Sequence, residues 1–155
     1  MKKQIARSQV VIYKNESGET KIDVRFDGET AWLTQKMMAE LFDVEINTIN
    51  YHLKEIFKSG ELSEKATIRK IRIVQREGDR DVSREIEYYN LDVIISVGYR
   101  VNSNRATQFR MWATQIIKEY IIKGFVMDDE RLKNPDLPFD YFEELTRRIA
   151  DIRTS

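Results

Sequence analysis

Strict alternation marks the start of the chain. Ile22, Val24 and Phe26 interleave with Asp23 and Arg25, the period of two that a half-buried strand requires. Residues 8–14 and 20–26 therefore read as two strands. Between them Asn15-Glu16-Ser17-Gly18-Glu19 supplies turn chemistry, with Gly18 free to take positive φ. A second hairpin is expected from residues 68–74 and 84–90, joined by the charged tip Glu77-Gly78-Asp79-Arg80-Asp81. Over residues 34–42 and 46–57 the period lengthens to three and four, predicting a close pair of helices, and residues 91–99 predict a third. The longest helical pattern runs from 105 to 123. There Phe109, Trp112, Ala113, Ile116, Ile117, Tyr120 and Ile121 keep the spacing of one buried face. Ser103 is placed to cap this helix and Gly124 to stop it. Asn134-Pro135-Asp136-Leu137-Pro138 reads as a linker, and residues 139–153 as a short amphipathic helix.

This order of elements predicts an α+β fold: a helix-turn-helix with β-hairpins, winged-helix-like, and a long C-terminal amphipathic helix. The expected division is a body at 1–127, a linker at 128–138, and the start of a C-terminal helical or coiled-coil region at 139–155. Composition supports one ordinary domain with an appendage. The 155 residues are 41% hydrophobic, enough for a core, and contain no cysteine. Disulfides, thiol catalysis and cysteine metal sites are thereby excluded. No apolar run has the length of a bilayer span and the N-terminus lacks a signal-peptide core, so a soluble, cytoplasmic protein is expected. Basic and acidic side chains balance at 26 each, but residues 128–155 carry five basic against eight acidic ones, leaving the body positive.

Residues 35–53 carry the arrangement a helix-turn-helix needs. Ala39 is small enough for the second helix to cross closely over the first. Asp43-Val44 makes the tight turn; aspartate stands where glycine is usual, and it tolerates the left-handed region better than most residues. Met38, Leu41 and Phe42 turn inward from the first helix, Ile49 and Leu53 from the second. The outward positions are then Asn47, Thr48, Asn50, Tyr51 and Lys54, groups able to read base edges in a major groove. Thr34 and Gln35, at the start of the first helix, are placed to donate to a phosphate. A helical hairpin that touches no nucleic acid would bury the same positions.

Two basic stretches extend this reading. Residues 65–84 hold seven basic and three acidic side chains, so Arg76, Arg80 and Arg84 are candidates for a wing that neutralises phosphates. A solvated edge hairpin would carry similar charges to resist aggregation. Arg100, Arg105 and Arg110 surround the start of the longest helix, where Arg105 and Arg110 are candidate phosphate contacts. The alternative is that Ser103 only caps the helix and the arginines pair with carboxylates such as Asp92 or Glu87. Trp112 and Phe109 follow the buried stripe and are expected in the core.

The run Tyr88-Tyr89-Asn90-Leu91-Asp92-Val93-Ile94-Ile95-Ser96-Val97-Gly98-Tyr99-Arg100-Val101-Asn102-Ser103, continued by Arg105-Ala106-Thr107-Gln108-Phe109-Arg110-Met111-Trp112-Ala113-Thr114, resembles the RhuM family of bacterial virulence-associated proteins. The resemblance extends from about Val10 to the end of the chain and includes Trp32-Leu33-Thr34-Gln35. Members of that family are longer, which implies that these residues form an N-terminal part. More loosely, Ser103, Ala106, Phe109, Trp112 and Gly124 are placed like the end of Bro-N-type domains, which occur in phage antirepressors and are associated with DNA binding.

The chemistry for an enzyme is thin. His52 is the single histidine, so zinc sites and histidine-based nucleophilic catalysis lack ligands or a base. No phosphate-cradling glycine loop occurs. Neither catalytic residues, metal nor cofactor are expected. The reading is a non-enzymatic DNA-binding regulatory module whose partner is double-stranded DNA, with no membrane; the stripe Phe139, Phe142, Leu145, Ile149 and Ile152 of the last helix either folds back on its own domain or pairs with a second copy in a homodimer or with a further part of a longer chain. Two alternatives stand beside it: a protein-interaction domain of a virulence or defence system, and the N-terminal part of a longer enzyme.

Overall fold

The computed structural model describes the backbone of residues 6–15 and 18–27 and the full residues 30–133 and 141–155. The fold is mixed α+β. Its elements run β1 (Ala6–Asn15), β2 (Gly18–Asp27), β3 (Thr30–Leu33), α1 (Gln35–Phe42), α2 (Ile46–Lys58), α3 (Glu64–Thr67), β4 (Ile68–Glu77), β5 (Arg80–Asn90), α4 (Leu91–Arg100), α5 (Asn104–Lys123), α6 (Asp129–Lys133) and α7 (Tyr141–Thr154). The chain divides into two compact units, Met1–Thr114 and Gln115–Ser155, the division falling within α5.

Both expected hairpins form, and they belong to one antiparallel sheet of order β1-β2-β3-β5-β4. The joining strand β3 was not anticipated. It pairs Trp32 with Arg25 on one side and with Asn90 on the other. The second hairpin is longer than its sequence pattern, and its turn shrinks to Gly78-Asp79, with Gly78 at φ 63° as the first position of a primed hairpin turn requires. The linker at 134–138, Phe139 and the first turn's Glu16 and Ser17 lie outside the described residues, as do the side chains of the alternating stretch 20–26.

The helix pair has the anticipated interior. Thr34 caps α1, its Oγ1 accepting from the Met37 amide at 3.1 Å. Asp43 ends α1 in the left-handed region at φ 54°, ψ 56°, and the next amide, Val44, donates to the Ala39 carbonyl at 3.0 Å. Ala39, Ile49, Leu53 and Ile56 are buried, with Val44 packed against them. Leu33 from β3, Tyr89 from β5 and Val93, Ile94 and Val97 from α4 complete this core. Asn90 caps α4, accepting from the Val93 amide at 3.2 Å.

The long helix departs from its sequence pattern. Of its stripe only Phe109 is buried, beside Ala106, with Trp112 half-buried against the core. Ile117, Tyr120 and Ile121 are 50%, 61% and 73% exposed. Apolar spacing shows which side of a helix is hydrophobic, whereas burial also needs a partner at that height, and α5 meets the core only over its first turns. Gly124 follows α5 at φ 84°, the expected C-terminal glycine. On α7, Phe142, Ile149 and Ile152 are likewise exposed.

Phe109 is admitted by Gly98. Its ring lies edge-on to Phe42, with centroids 5.4 Å apart, and to Tyr99 at 6.2 Å. A Cβ on Gly98 would meet Phe42 Cζ at 3.0 Å and the Phe109 ring closer still. We expect Gly98→Ala to destabilise the protein by about 1–3 kcal/mol. In urea unfolding this would appear as a lower midpoint at unchanged slope.

Candidate nucleic-acid interface

One face of α2 is free. At spacings of four, three and four residues, Asn47, Tyr51, Lys54 and Lys58 form a single exposed line opposite Ile49, Leu53 and Ile56. Thr48 and Asn50 are half-buried on its flanks. Tyr51 projects furthest, 60% exposed, its ring edge-on to His52. Partial burial, reinforced by the Arg100 charge and opposed by Glu55, holds the His52 imidazole below its ordinary pKa, so it adds no charge at neutral pH. Lys58 was missed in the sequence reading, which stopped the outward face at Lys54, although the same spacing reaches it. Asp43 and Glu45 are exposed just before the N-terminus of α2, and Lys58 stands in its last turn.

The two residues expected at the start of α1 have internal duties. The hydroxyl of Thr34 is the helix cap. The Gln35 amide donates to the Tyr89 hydroxyl at 3.0 Å, which in turn donates to Glu87 Oε2 at 3.0 Å. Burial, with Glu87 nearby, pushes the Tyr89 phenol up to about 12.

The hairpin looks different once its register is known. Directly across the strands, Lys70 faces Glu87, Arg72 faces Glu85, Arg76 faces Asp81 and Arg80 faces Glu77. Lys70 forms an ion pair with Glu85 at 3.6 Å, and Arg84 pairs with Glu77. Much of the basic excess over 65–84 thus faces acidic residues, two of which, Glu85 and Glu87, lie just beyond that window. Opposite charges set across a strand pair stabilise the hairpin itself.

The arginines expected as a clamp at the start of α5 are also engaged by groups of the fold itself. Arg100 pairs with Glu61 at 2.8 Å, not with Asp92 or Glu87. Arg105 Nη1 donates to the Glu40 carbonyl at 2.7 Å. Arg110 Nη1 donates to the carbonyls of Gly98 at 3.0 Å and Val101 at 2.8 Å, and its Nη2 to Thr107. Ser103 caps α5, accepting from the Ala106 amide at 3.0 Å, and donates to the Phe42 carbonyl at 2.6 Å. The carbonyl ends of α1 and α4 carry partial negative charge and lack intrahelical donors, so a serine and two arginines supplied by α5 satisfy both.

Among the described residues no group of histidine and carboxylate side chains is arranged to hold a metal ion. No described helix is long and apolar enough to cross a membrane.

Comparison with known proteins gives one match. Residues 66–155 match the model of the Virulence protein RhuM family. The match begins downstream of α2 rather than near Val10, and it spans more than half of the chain. Neither a curated protein nor a solved structure matches.

If Arg110 serves α4 rather than a ligand, its loss is felt in stability. Arg110→Ala should lower unfolding stability by about 1–3 kcal/mol, since two helix-end carbonyls lose a charged donor. Chemical denaturation checks this; an unchanged midpoint would return the guanidinium to the list of ligand contacts.

Proposed function

The chain belongs to the virulence protein RhuM family, and from that footing we propose that its body is a DNA-binding regulatory module of a bacterial virulence or phage-related protein. The observation that carries the reading is the framing of α2. A strand, three helices (the third the short α3) and a hairpin follow one another, and these strands lie in the order β3-β5-β4. In this reading the order is that of a winged helix, with α1 and α2 as its helix-turn-helix. The core grips α2 by Ile49, Leu53 and Ile56, leaving Asn47, Tyr51, Lys54 and Lys58 in a line that fits a major groove. Asparagine can pair bidentately with adenine, and lysine with guanine or a phosphate. In this reading the cross-strand charge pairs make the β4–β5 hairpin a rigid frame for α2, and Arg105 and Arg110 keep α5 in place.

Binding to random-sequence duplex should weaken with salt, with a log–log slope of roughly −3 to −4 if about four cations meet phosphates. Once a preferred sequence is selected, Asn47→Ala or Tyr51→Ala should cost about 1–3 kcal/mol of discrimination against random duplex. Fluorescence anisotropy reads both quantities, and a salt-independent isotherm would remove phosphate contact.

A second reading, assembly with a protein, is favoured by the apolar side chains exposed on α7. Tyr141, Phe142, Ile149 and Ile152 are all uncovered within their own unit. A homodimer through α7 would cover them and bring two copies of α2 into one assembly, as two half-sites require. Sedimentation of the chain beside a version ending at Lys133 checks it. Loss of a dimer on truncation is the expected outcome, and a monomer in both versions excludes this interface.

A further inference from the structure

The last turn of α2 borders an open concavity of about 800 Å³. Three lysines line it: Lys54 and Lys58 from α2, and Lys65 from α3. Glu64 is the single acidic residue in the lining. Phe57 and Leu62 form an apolar floor, packed against the core, that fixes the shape of the depression. Gly60 lies on the rim at φ 78° with no atom near the position of a Cβ, so a ligand can approach the backbone there.

The lysines have no use within the fold. Among the described residues no carboxylate forms an ion pair with Lys54, Lys58 or Lys65. The neighbouring Glu61 is engaged by Arg100 and by Ser96, each at 2.8 Å. Lys54 and Lys58 are one helical turn apart, a like-charge spacing that weakens an isolated helix. Several other cations of the body are answered: Lys70 and Arg84 of the hairpin by glutamates, Arg100 by Glu61, and Arg105 and Arg110 by helix-end carbonyls. Three cations without ion pairs among the described residues thus meet at one concave place, and it continues the exposed line from Asn47 and Tyr51.

We propose that the concavity lined by Lys54, Lys58 and Lys65 is a phosphate-binding site that holds the backbone of a nucleic-acid strand while the line Asn47–Tyr51 meets the bases. The inference rests on the DNA-binding reading and deepens it by assigning Lys58 and Lys65, which lie outside the reading positions. Three ammonium groups around an apolar floor suit the spread negative charge of a phosphodiester, which needs no single fixed fork geometry. The affinity contributed is independent of sequence and arises from counterion release.

The test compares three forms of the full chain: unaltered, Lys54→Gln with Lys58→Gln and Lys65→Gln, and a charge-matched control carrying Arg131→Gln, Arg147→Gln and Arg148→Gln. Each is titrated with labelled random duplex at two salt concentrations. Separately, the backbone amides of the unaltered chain are followed by NMR as pyrophosphate is added, against sodium chloride of equal ionic strength. The lysine variant should bind duplex more than about tenfold more weakly in low salt, with a slope shallower by about 2.7, while the control changes far less. Amides at Gly60, Ser63 and Lys65 should shift with pyrophosphate and not with chloride. Equal loss in the lysine variant and the control, or no loss in either, overturns the site while the DNA-binding reading stands. If the unaltered chain binds no duplex, that reading falls, and the pyrophosphate shifts alone decide the site: localised shifts uphold it as a phosphate site, and their absence overturns it.

Discussion

Phe109 is wedged between Phe42 of α1 and Tyr99 of α4, and the positions of all three helices depend on that wedge. It is possible because residue 98 is glycine: no side chain separates the α4 backbone from the ring. Close approach then brings the first turns of α5 to the carbonyl ends of α1 and α4. Ser103, Arg105 and Arg110 satisfy those ends with four hydrogen bonds to carbonyls. Packing and polar satisfaction thus act at one place. The wedge supplies apolar burial, and the bonds around it remove the cost of leaving helix-end carbonyls without partners.

That junction explains why α2 can be both firmly held and polar outside. The α1 helix is anchored at its C-terminus by α5 and at its N-terminus by the Thr34 cap and the Gln35–Tyr89 bond. With α1 and α4 fixed, α2 needs only one buried face, and its other face is left to its side-chain chemistry. The same economy governs charge. Arg100, Arg105 and Arg110 are drawn to a glutamate and to carbonyls, the hairpin sets opposite charges across its strands, and the lysines near the end of α2 form no ion pair among the described residues.

Local patterns made much of this legible in the chain. Both hairpins, the helix pair, the left-handed Asp43 turn and the Ser103 cap follow from spacing and turn chemistry over a few residues. What escaped depends on contacts distant in sequence. The strand β3 has four residues and too short a period to register, yet it unites the two hairpins. The α5 stripe was visible, but where the core would stop meeting it was not. Arg105 and Arg110 sit at a helix start, where an anion is a reasonable expectation, and nothing local reveals that carbonyls of Glu40, Gly98 and Val101 reach them first. On the hairpin, the balance of charge depended on register, which places Glu85 and Glu87 against Arg72 and Lys70. Of the candidate site, the outward line of α2 was readable as far as Lys54; Lys58 follows the same spacing, and Lys65 needed the fold.

The central claim is that nucleic acid meets the α2 face and not the hairpin tip, and photo-cross-linking tests it directly. Benzoylphenylalanine is placed at Tyr51 in one version of the chain and at Arg80 in another, and each is irradiated with labelled random duplex in low salt. Both positions are exposed, so neither substitution disturbs the core. Covalent transfer to DNA from position 51, with little from position 80, is the expected result. Transfer from position 80 alone, or from neither, would contradict it.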